Sequence, residues 1–186
     1  MYHALTPFWN GKAGVVGVLK ALAYKDIPVQ SPPLTLPLPD PFVAVAFYQR
    51  HTWPLNEDLR TWVVERVDGI AKHVPVVLIE SGLYADDHVS FPIDGPNVLS
   101  TKDYVTPQNN LSVQAAVMAK AQCVVGTYGG TIQLAVRLKK PTVGFFEKFE
   151  GTCYAHKHLT ELLAVQQQTP LLIGRPDDAK FIFEVM

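Results

Sequence analysis

The sequence predicts an α/β fold built on a doubly wound parallel sheet of about six strands, with helices on both faces. Two observations predict it. From Pro41 onward, short apolar runs alternate with segments of helical spacing, a pattern typical of parallel sheets. One run, Pro75–Glu80, is apolar almost throughout, as expected of a strand that is covered on both faces.

The elements of the first half follow from local patterns. A strand is predicted at Phe42–Tyr48, a helix at Asn56–His73 with Asn56 as its cap, and a second strand at Pro75–Glu80. The helix has its apolar residues on one stripe, namely Leu59, Val63, Val67 and Ile70. A region rich in loop-forming residues, 81–95, comes next.

The second half repeats the alternation. A short strand at Asn97–Leu99 precedes a helix at Asn109–Gln122, capped by Asn109 or Asn110. The helix is expected to bury Leu111, Val113, Ala116, Val117 and Ala121. The remaining elements are two strands around a glycine turn and a helix within Cys123–Phe146, a helix near His156–Val165, a strand at Leu171–Ile173 and a helix opened by Pro176 and Asp177. The whole predicts a Rossmann-like domain.

Composition narrows the function classes. With 186 residues, 48% of them hydrophobic, the chain can bury a core, and its formal charge of −1 argues against a broad grip on nucleic acid. No apolar run approaches the roughly 18 residues of a membrane span, no signal-peptide pattern occurs, and two cysteines give no disulfide framework. We expect a soluble, cytoplasmic protein without a membrane span; peripheral contact with a membrane stays open.

The first 40 residues differ from the rest. Pro28–Pro41 holds six prolines in 14 residues, and proline at that density favours extended chain. The expected division is an N-terminal arm with a proline-rich linker at 1–40 and a ligand-binding domain at 41–186. On the residues alone, the arm either packs on the domain or is the end of a preceding one.

The best candidate site is the turn Gly126–Thr131. Ligands of open parallel sheets bind beyond the carboxyl ends of the strands, where four loops are expected to meet: 49–53, 80–87, 126–131 and 147–158. In this turn, Gly126, Gly129 and Gly130 let the backbone approach a ligand closely. The helix that follows begins with amides that have no partner inside the helix. Thr127 and Thr131 add two hydroxyl groups. The sequence therefore predicts a phosphate or pyrophosphate site, against the alternative of a simple tight turn.

Other residues are candidates for the same edge. Arg50, followed by His51, comes directly after the first strand, and its planar fork suits phosphate oxygens. Lys148 and Lys157 can add charge, and Glu147 or Glu150 can accept hydrogen bonds from a ribose. No metal site is expected from Asp86, Asp87 and His88, because adjacent residues rarely point at one ion. Cys153 and His156 have no obvious third group to orient them, and no catalytic residue is assigned.

One long segment resembles a known family. Residues 109–146, "NNLSVQAAVMAKAQCVVGTYGGTIQLAVRLKKPTVGFF", are similar to the carboxyl-half signature of GT-B glycosyltransferases, especially heptosyltransferase-like ones. The shared positions are Gly126, Thr127, Gly129, Gly130, Leu134, Ala135, Leu138, Pro141, Val143 and Phe145. The likeness covers roughly residues 41–175. It departs at Tyr128 and Gln133, near which the family has an aspartate and a histidine.

The resemblance implies a function. It makes the chain the donor-binding half of a glycosyltransferase, which holds a nucleotide-diphosphate sugar as a substrate, with no separate cofactor, for transfer to a hydroxyl of a sugar or glycolipid acceptor. Arg50, Gly126, Thr127, Gly129, Gly130 and Thr131 would hold the diphosphate and Glu147 or Glu150 the ribose, with Asn109, Gln133 and Lys148 as weaker candidates. A preceding domain or partner chain would supply the acceptor site and the base. The alternatives are a two-domain nucleotide-sugar epimerase and a non-catalytic interaction module with a vestigial pocket.

Overall fold

The computed structural model describes residues 36–49, 52–54, 56–80, 89–91, 93–149 and 152–179. In chain order the strands are β1 (Val43–Ala46), β2 (Tyr48–Gln49), β3 (Val76–Leu78), β4 (Val89–Ser90), β5 (Val98–Ser100), β6 (Cys123–Thr127), β7 (Thr142–Phe145) and β8 (Leu171–Gly174). Six of them form one parallel sheet in the order β5-β3-β1-β6-β7-β8. The predicted fold class is confirmed.

Helices cover both faces of this sheet. They are α1 (Glu57–Ala71), α2 (Asn110–Lys120), α3 (Gly130–Arg137) and α4 (Thr152–Gln166). The apolar stripe of α1 packs with Val43 and Val45 in one core cluster, whereas α2 and α3 pack with Ala44 and Ala46 in another. Successive strand residues point to opposite faces, so β1 is buried on both sides and reads as a continuous apolar run.

The order of the strands contains a reversal. From β1 the chain proceeds outward to β3 and β5, then crosses to the other side of β1 and proceeds outward again through β6, β7 and β8. The strands β1 and β6 therefore flank the topological switch point, where doubly wound sheets open a crevice beyond their carboxyl ends.

Two predicted elements differ from the structure in extent. The first strand stops at Ala46, and β2 pairs antiparallel with β4 in a separate two-stranded sheet. Each of these strands has two residues, which is too short for an alternating pattern to reveal. The helix expected near His156 begins at Thr152, and Pro176–Asp178 forms a 3₁₀ turn.

The prediction that Leu111 faces the core is wrong, because 69% of the residue is exposed. Residues in an α-helix are about 100° apart, so Leu111 lies roughly 200° from Val113. Since Val113, Ala116 and Val117 define the buried stripe, Leu111 falls on the opposite face. The predicted cap of α1 is confirmed, because Oδ1 of Asn56 accepts a hydrogen bond from the amide of Asp58.

Most of the predicted arm, residues 1–35, lies outside the described residues. At the end of the linker, Leu36 is buried and packs in the cluster beneath α2. Within the described part of the chain, no helix has both the length and the apolar character needed to cross a membrane.

Candidate functional site

The turn that joins β6 to α3 lies at the switch point. Gly126 and Thr127 end β6, and Gly126 is in register with Ala46 at the end of β1. Gly129 and Gly130 follow, and α3 begins at Gly130. The sequence-predicted turn is therefore at the carboxyl end of one of the two strands that flank the crevice, which is the expected place for a ligand.

Gly126 is required by the sheet itself. A Cβ atom at this position would lie 2.2 Å from the carbonyl oxygen of Ala46 and 2.7 Å from its carbonyl carbon. Those distances are far inside van der Waals contact, so β1 and β6 need a glycine here. The close approach expected between Gly126 and a ligand is, in the structure, a close approach between Gly126 and the neighbouring strand.

The side chain of Thr127 is also used within the fold. Its hydroxyl donates to the carbonyl oxygen of Tyr48 and accepts from the amide of Tyr48, both at 3.1 Å, and the residue is fully buried. A hydroxyl has one proton to donate, and Tyr48 receives it. Thr127 thus ties β6 to β2, and the expectation that it serves as a ligand donor is corrected.

The next residues are open. Gly129 and Thr131 are half-buried and Gly130 is exposed, and among the described residues nothing lies within 4 Å of a Cβ atom built at Gly130. No side chain caps α3, and its first turn has no acidic residue. The first amides of a helix have no partner inside the helix and carry partial positive charge. The start of α3 therefore presents polar, partly positive backbone to a space that none of the described residues fills.

The start of α1 makes a useful contrast. There Asn56 accepts a hydrogen bond from a first-turn amide, and the first turn contains Glu57 and Asp58. The helix supplies its own hydrogen-bond acceptor and negative charge. An anion is therefore disfavoured at α1 on grounds that do not apply to α3.

The loop after β7 brings charged groups to the same edge. The amides of Glu147 and Lys148 both donate to the carbonyl oxygen of Thr52, at 2.8 and 3.2 Å, and Lys148 is exposed. Nη2 of Arg175 lies 3.4 Å from Oε1 of Glu147. The carboxylate proposed to bind a ribose thus has a guanidinium partner.

Arg175 is the residue that sequence reasoning missed. It follows β8 directly and is half exposed at the side chain, 49%. The same rule that selects Arg50, a position directly after a strand, also selects Arg175.

Several weaker candidates are occupied by local contacts. The side chain of Asn109 accepts from the amide of Thr106 and donates to the carbonyl oxygen of Tyr104. Lys157 pairs with Glu161 one turn along α4. Gln133 lies close enough to Tyr128 to lower the pKa of its phenol. The remaining candidates lie outside the described residues: Arg50, His51, Asp86, Asp87, His88 and Glu150.

The side chain of Tyr128 packs against α4. Its hydroxyl is 3.1 Å from Oγ1 of Thr160 on α4, and the residue is buried. Burial raises the pKa of the Tyr128 phenol, an effect partly offset by the hydrogen bond to Thr160 and by the side chain of Gln133. Where the resembling family has an aspartate near the turn, this chain has a neutral ring that packs inward.

Two buried polar groups beside the site have no hydrogen-bond partner among the residues that the structure describes. They are the hydroxyl of Thr52, a residue that is 4% exposed, and the indole N–H of the fully buried Trp53. The same Thr52 receives the amides of Glu147 and Lys148 through its carbonyl. Leaving such groups unpaired in a protein interior costs free energy.

Together these features define a Rossmann-like α/β domain with an uncapped helix start at its switch point. Within the described ranges, no three His, Cys, Asp or Glu side chains cluster as metal ligands do. Compared with the models of known protein families and with curated proteins, the chain matches none.

Proposed function

We propose that the chain is the donor-binding half of a GT-B-type, heptosyltransferase-like glycosyltransferase, and that it holds a nucleotide-diphosphate sugar. The observation that carries the proposal is the exposed, uncapped start of α3 at the switch point between β1 and β6. The resemblance of residues 109–146 supports the same ligand.

The charges at this edge suit a diphosphate. The amides of Gly130 and Thr131 would donate to its oxygens, and the absence of a side chain at Gly130 lets those oxygens approach the backbone. Lys148 and Arg175 are cations at the neighbouring strand ends. Arg175 already has the carboxylates of Glu147 and Asp177 as partners, at 3.4 and 4.0 Å, so Lys148 is the cation of the pair that is left to a diphosphate.

In such a site the protein stabilises a leaving group. As the sugar transfers to an acceptor hydroxyl, negative charge builds on the diphosphate, and fixed amides at a helix start lower the free energy of that charge. The acceptor site and the base would come from a preceding domain or a partner chain.

The test is calorimetric titration of the chain with UDP, GDP, ADP and inorganic pyrophosphate. We expect at least one nucleotide to bind, and we expect Gly130→Asp to abolish binding. An aspartate there enters open space and stabilises the helix start by roughly 0.5 kcal/mol, so lost affinity would not reflect misfolding.

The matched control is Leu111→Asp. It adds the same charge to the first turn of α2 at an exposed position and should leave the affinity nearly unchanged. Absence of heat with all four ligands in a folded sample would contradict the proposal, as would unaltered binding by Gly130→Asp. Conversion of a nucleotide sugar without any acceptor would instead favour the epimerase.

A further inference from the structure

Four aromatic rings gather beside the open turn. Phe146 and Phe149 are stacked, with centroids 3.7 Å apart and planes inclined by 8°. Tyr128 and Tyr154 meet Phe149 edge-on, at 5.3 and 5.6 Å. The group spans the end of β6, the loop after β7 and the first turn of α4.

This cluster is continuous with the start of α3. Tyr128 directly precedes Gly129, and its amide donates to the carbonyl oxygen of Phe145 at 2.7 Å. The loops that carry the rings and the turn that carries the free amides are thus joined by a backbone hydrogen bond. The rings and the start of α3 therefore lie in adjoining segments of the same edge of the sheet.

The cluster differs from the aromatic group of the core. Phe47, Trp53 and Phe145 are buried and pack under α1. By contrast, Tyr154 is 63% exposed, and Phe146 and Phe149 are half-buried. The core does not need Tyr154, so a large flat side chain faces solvent at the ligand edge.

We propose that Phe146, Phe149 and Tyr154 form the surface on which the base of a nucleotide stacks while its diphosphate lies at the start of α3. The inference rests on the proposed function and names residues for the base, which that function left unassigned. Every base has a π-face, and aromatic side chains bind it with little dependence on its identity.

Tyr128 acts as the support of this surface. Its ring meets Phe149 in a T-shaped contact, a favoured geometry for aromatic pairs. Its hydroxyl is held by Thr160 on α4. The stacked pair is therefore fixed from below, so little ordering would be required when a base binds.

The experiment compares three kinds of probe: inorganic pyrophosphate, the free nucleosides adenosine and uridine, and the diphosphates ADP, GDP and UDP. Affinities are measured by calorimetry, and ¹H–¹⁵N spectra locate the shifted amides. We expect the tightest nucleoside diphosphate to bind roughly tenfold better than pyrophosphate, and nucleosides to shift the signals of residues 146–154.

The variants separate the two parts of the site. Tyr154→Leu changes an exposed side chain and should weaken the tightest nucleoside diphosphate roughly five- to tenfold while leaving pyrophosphate unaffected. Tyr104→Leu, at another partly exposed tyrosine after β5, is the control and should change neither affinity. Phe149→Leu should act as Tyr154→Leu does.

The outcomes are distinguishable. Equal affinity for pyrophosphate and the nucleoside diphosphates, or undiminished nucleotide affinity in Tyr154→Leu, overturns the stacking surface and leaves the anion site standing. If nucleosides shift the signals of residues 146–154 and pyrophosphate does not bind, the stacking surface stands and the anion site fails.

Discussion

The end of β6 and the start of α3 contain glycines four positions apart that have opposite roles. At Gly126 a Cβ atom would lie 2.2 Å from a backbone oxygen of β1, whereas at Gly130 it would meet none of the described residues within 4 Å. The first glycine allows two strands to approach, and the second leaves a helix start accessible. Within one turn, the backbone at Gly126 is packed against β1 and the backbone at Gly130 is accessible.

The two threonines of the turn repeat this difference. Thr127 is fully buried and its hydroxyl is bonded to Tyr48, while Thr131 is half-buried in the first turn of α3. A motif that looks uniform in sequence is therefore divided between folding and access. Substitutions on either side of the division should have different consequences.

The largest effect is expected for Gly126→Ala. The methyl group would overlap the backbone of Ala46, and backbone cannot move aside as a flexible side chain can. We expect the free energy of unfolding to fall by about 3 kcal/mol, measured by urea denaturation. A loss below about 1 kcal/mol would show that β1 and β6 separate easily and would remove the contrast with Gly130.

Thr127→Val should have the second-largest effect. Valine keeps the shape but removes both hydrogen bonds between the side chain of Thr127 and the backbone of Tyr48, and each such bond contributes about 1 kcal/mol. Denaturation curves of Thr127→Val and Thr131→Val compare the closed and open sides. The second should lose less than about 0.5 kcal/mol, and equal losses would contradict the division.

The fold could be predicted from the sequence because its information is local and repeated. Parallel strands that are buried on both faces are continuous apolar runs in the sequence. The helix α1 is recognised by its stripe of apolar residues and by its cap, Asn56. The β2–β4 pair was missed because its partners are distant in the chain and two residues long. The prediction for Leu111 is wrong because its apolar character is typical of a core residue, whereas its position around the helix places it on the exposed face.

The site was predictable in place but not in detail. The strand-end rule found the turn at Gly126–Thr131, since topology alone fixes which loops share an edge. It could not show that Thr127 turns its hydroxyl to Tyr48, because that contact joins residues 79 positions apart. Nor could it show that Gly126 packs against a strand, because a glycine allows close approach by a ligand and by a neighbouring strand equally well.

A smaller effect concerns Tyr128, the inward-facing residue between the two glycines. Burial raises its pKa above the ordinary value of 10.0, so above about pH 10 the unfolded chain loses a proton that the folded chain keeps. Stability from this group is complete below pH 10 and declines as pH rises. The wild type should therefore lose stability more steeply than Tyr128→Phe between about pH 9.5 and 11.

The measurement is the free energy of unfolding of both proteins against pH. Below pH 10 the variant should be less stable by about 1 kcal/mol, since the contact with Thr160 is lost, and the gap should narrow above it. Cys123, whose pKa burial also raises, contributes equally to both curves. Parallel curves would show that the hydroxyl is accessible to water, and Tyr154→Phe, at an exposed ring, is the control.

The smallest effect on stability is expected for Gly130→Ala. This substitution should raise the free energy of unfolding, whereas Gly126→Ala should lower it. The backbone of Gly130 is outside the left-handed region and its surroundings are open, so alanine fits and reduces the entropy of the unfolded chain. We expect a gain of about 0.5 kcal/mol, against the large loss at Gly126.

The same substitution should weaken a bound diphosphate, because a methyl group at the first residue of α3 crowds the space above its amides. A few-fold loss in calorimetric affinity for pyrophosphate, in a protein that is slightly more stable, would separate access from folding at one residue. Were Gly130→Ala instead to destabilise the chain, the start of α3 would be packed in solution, and the opening on which the ligand proposal depends would not exist.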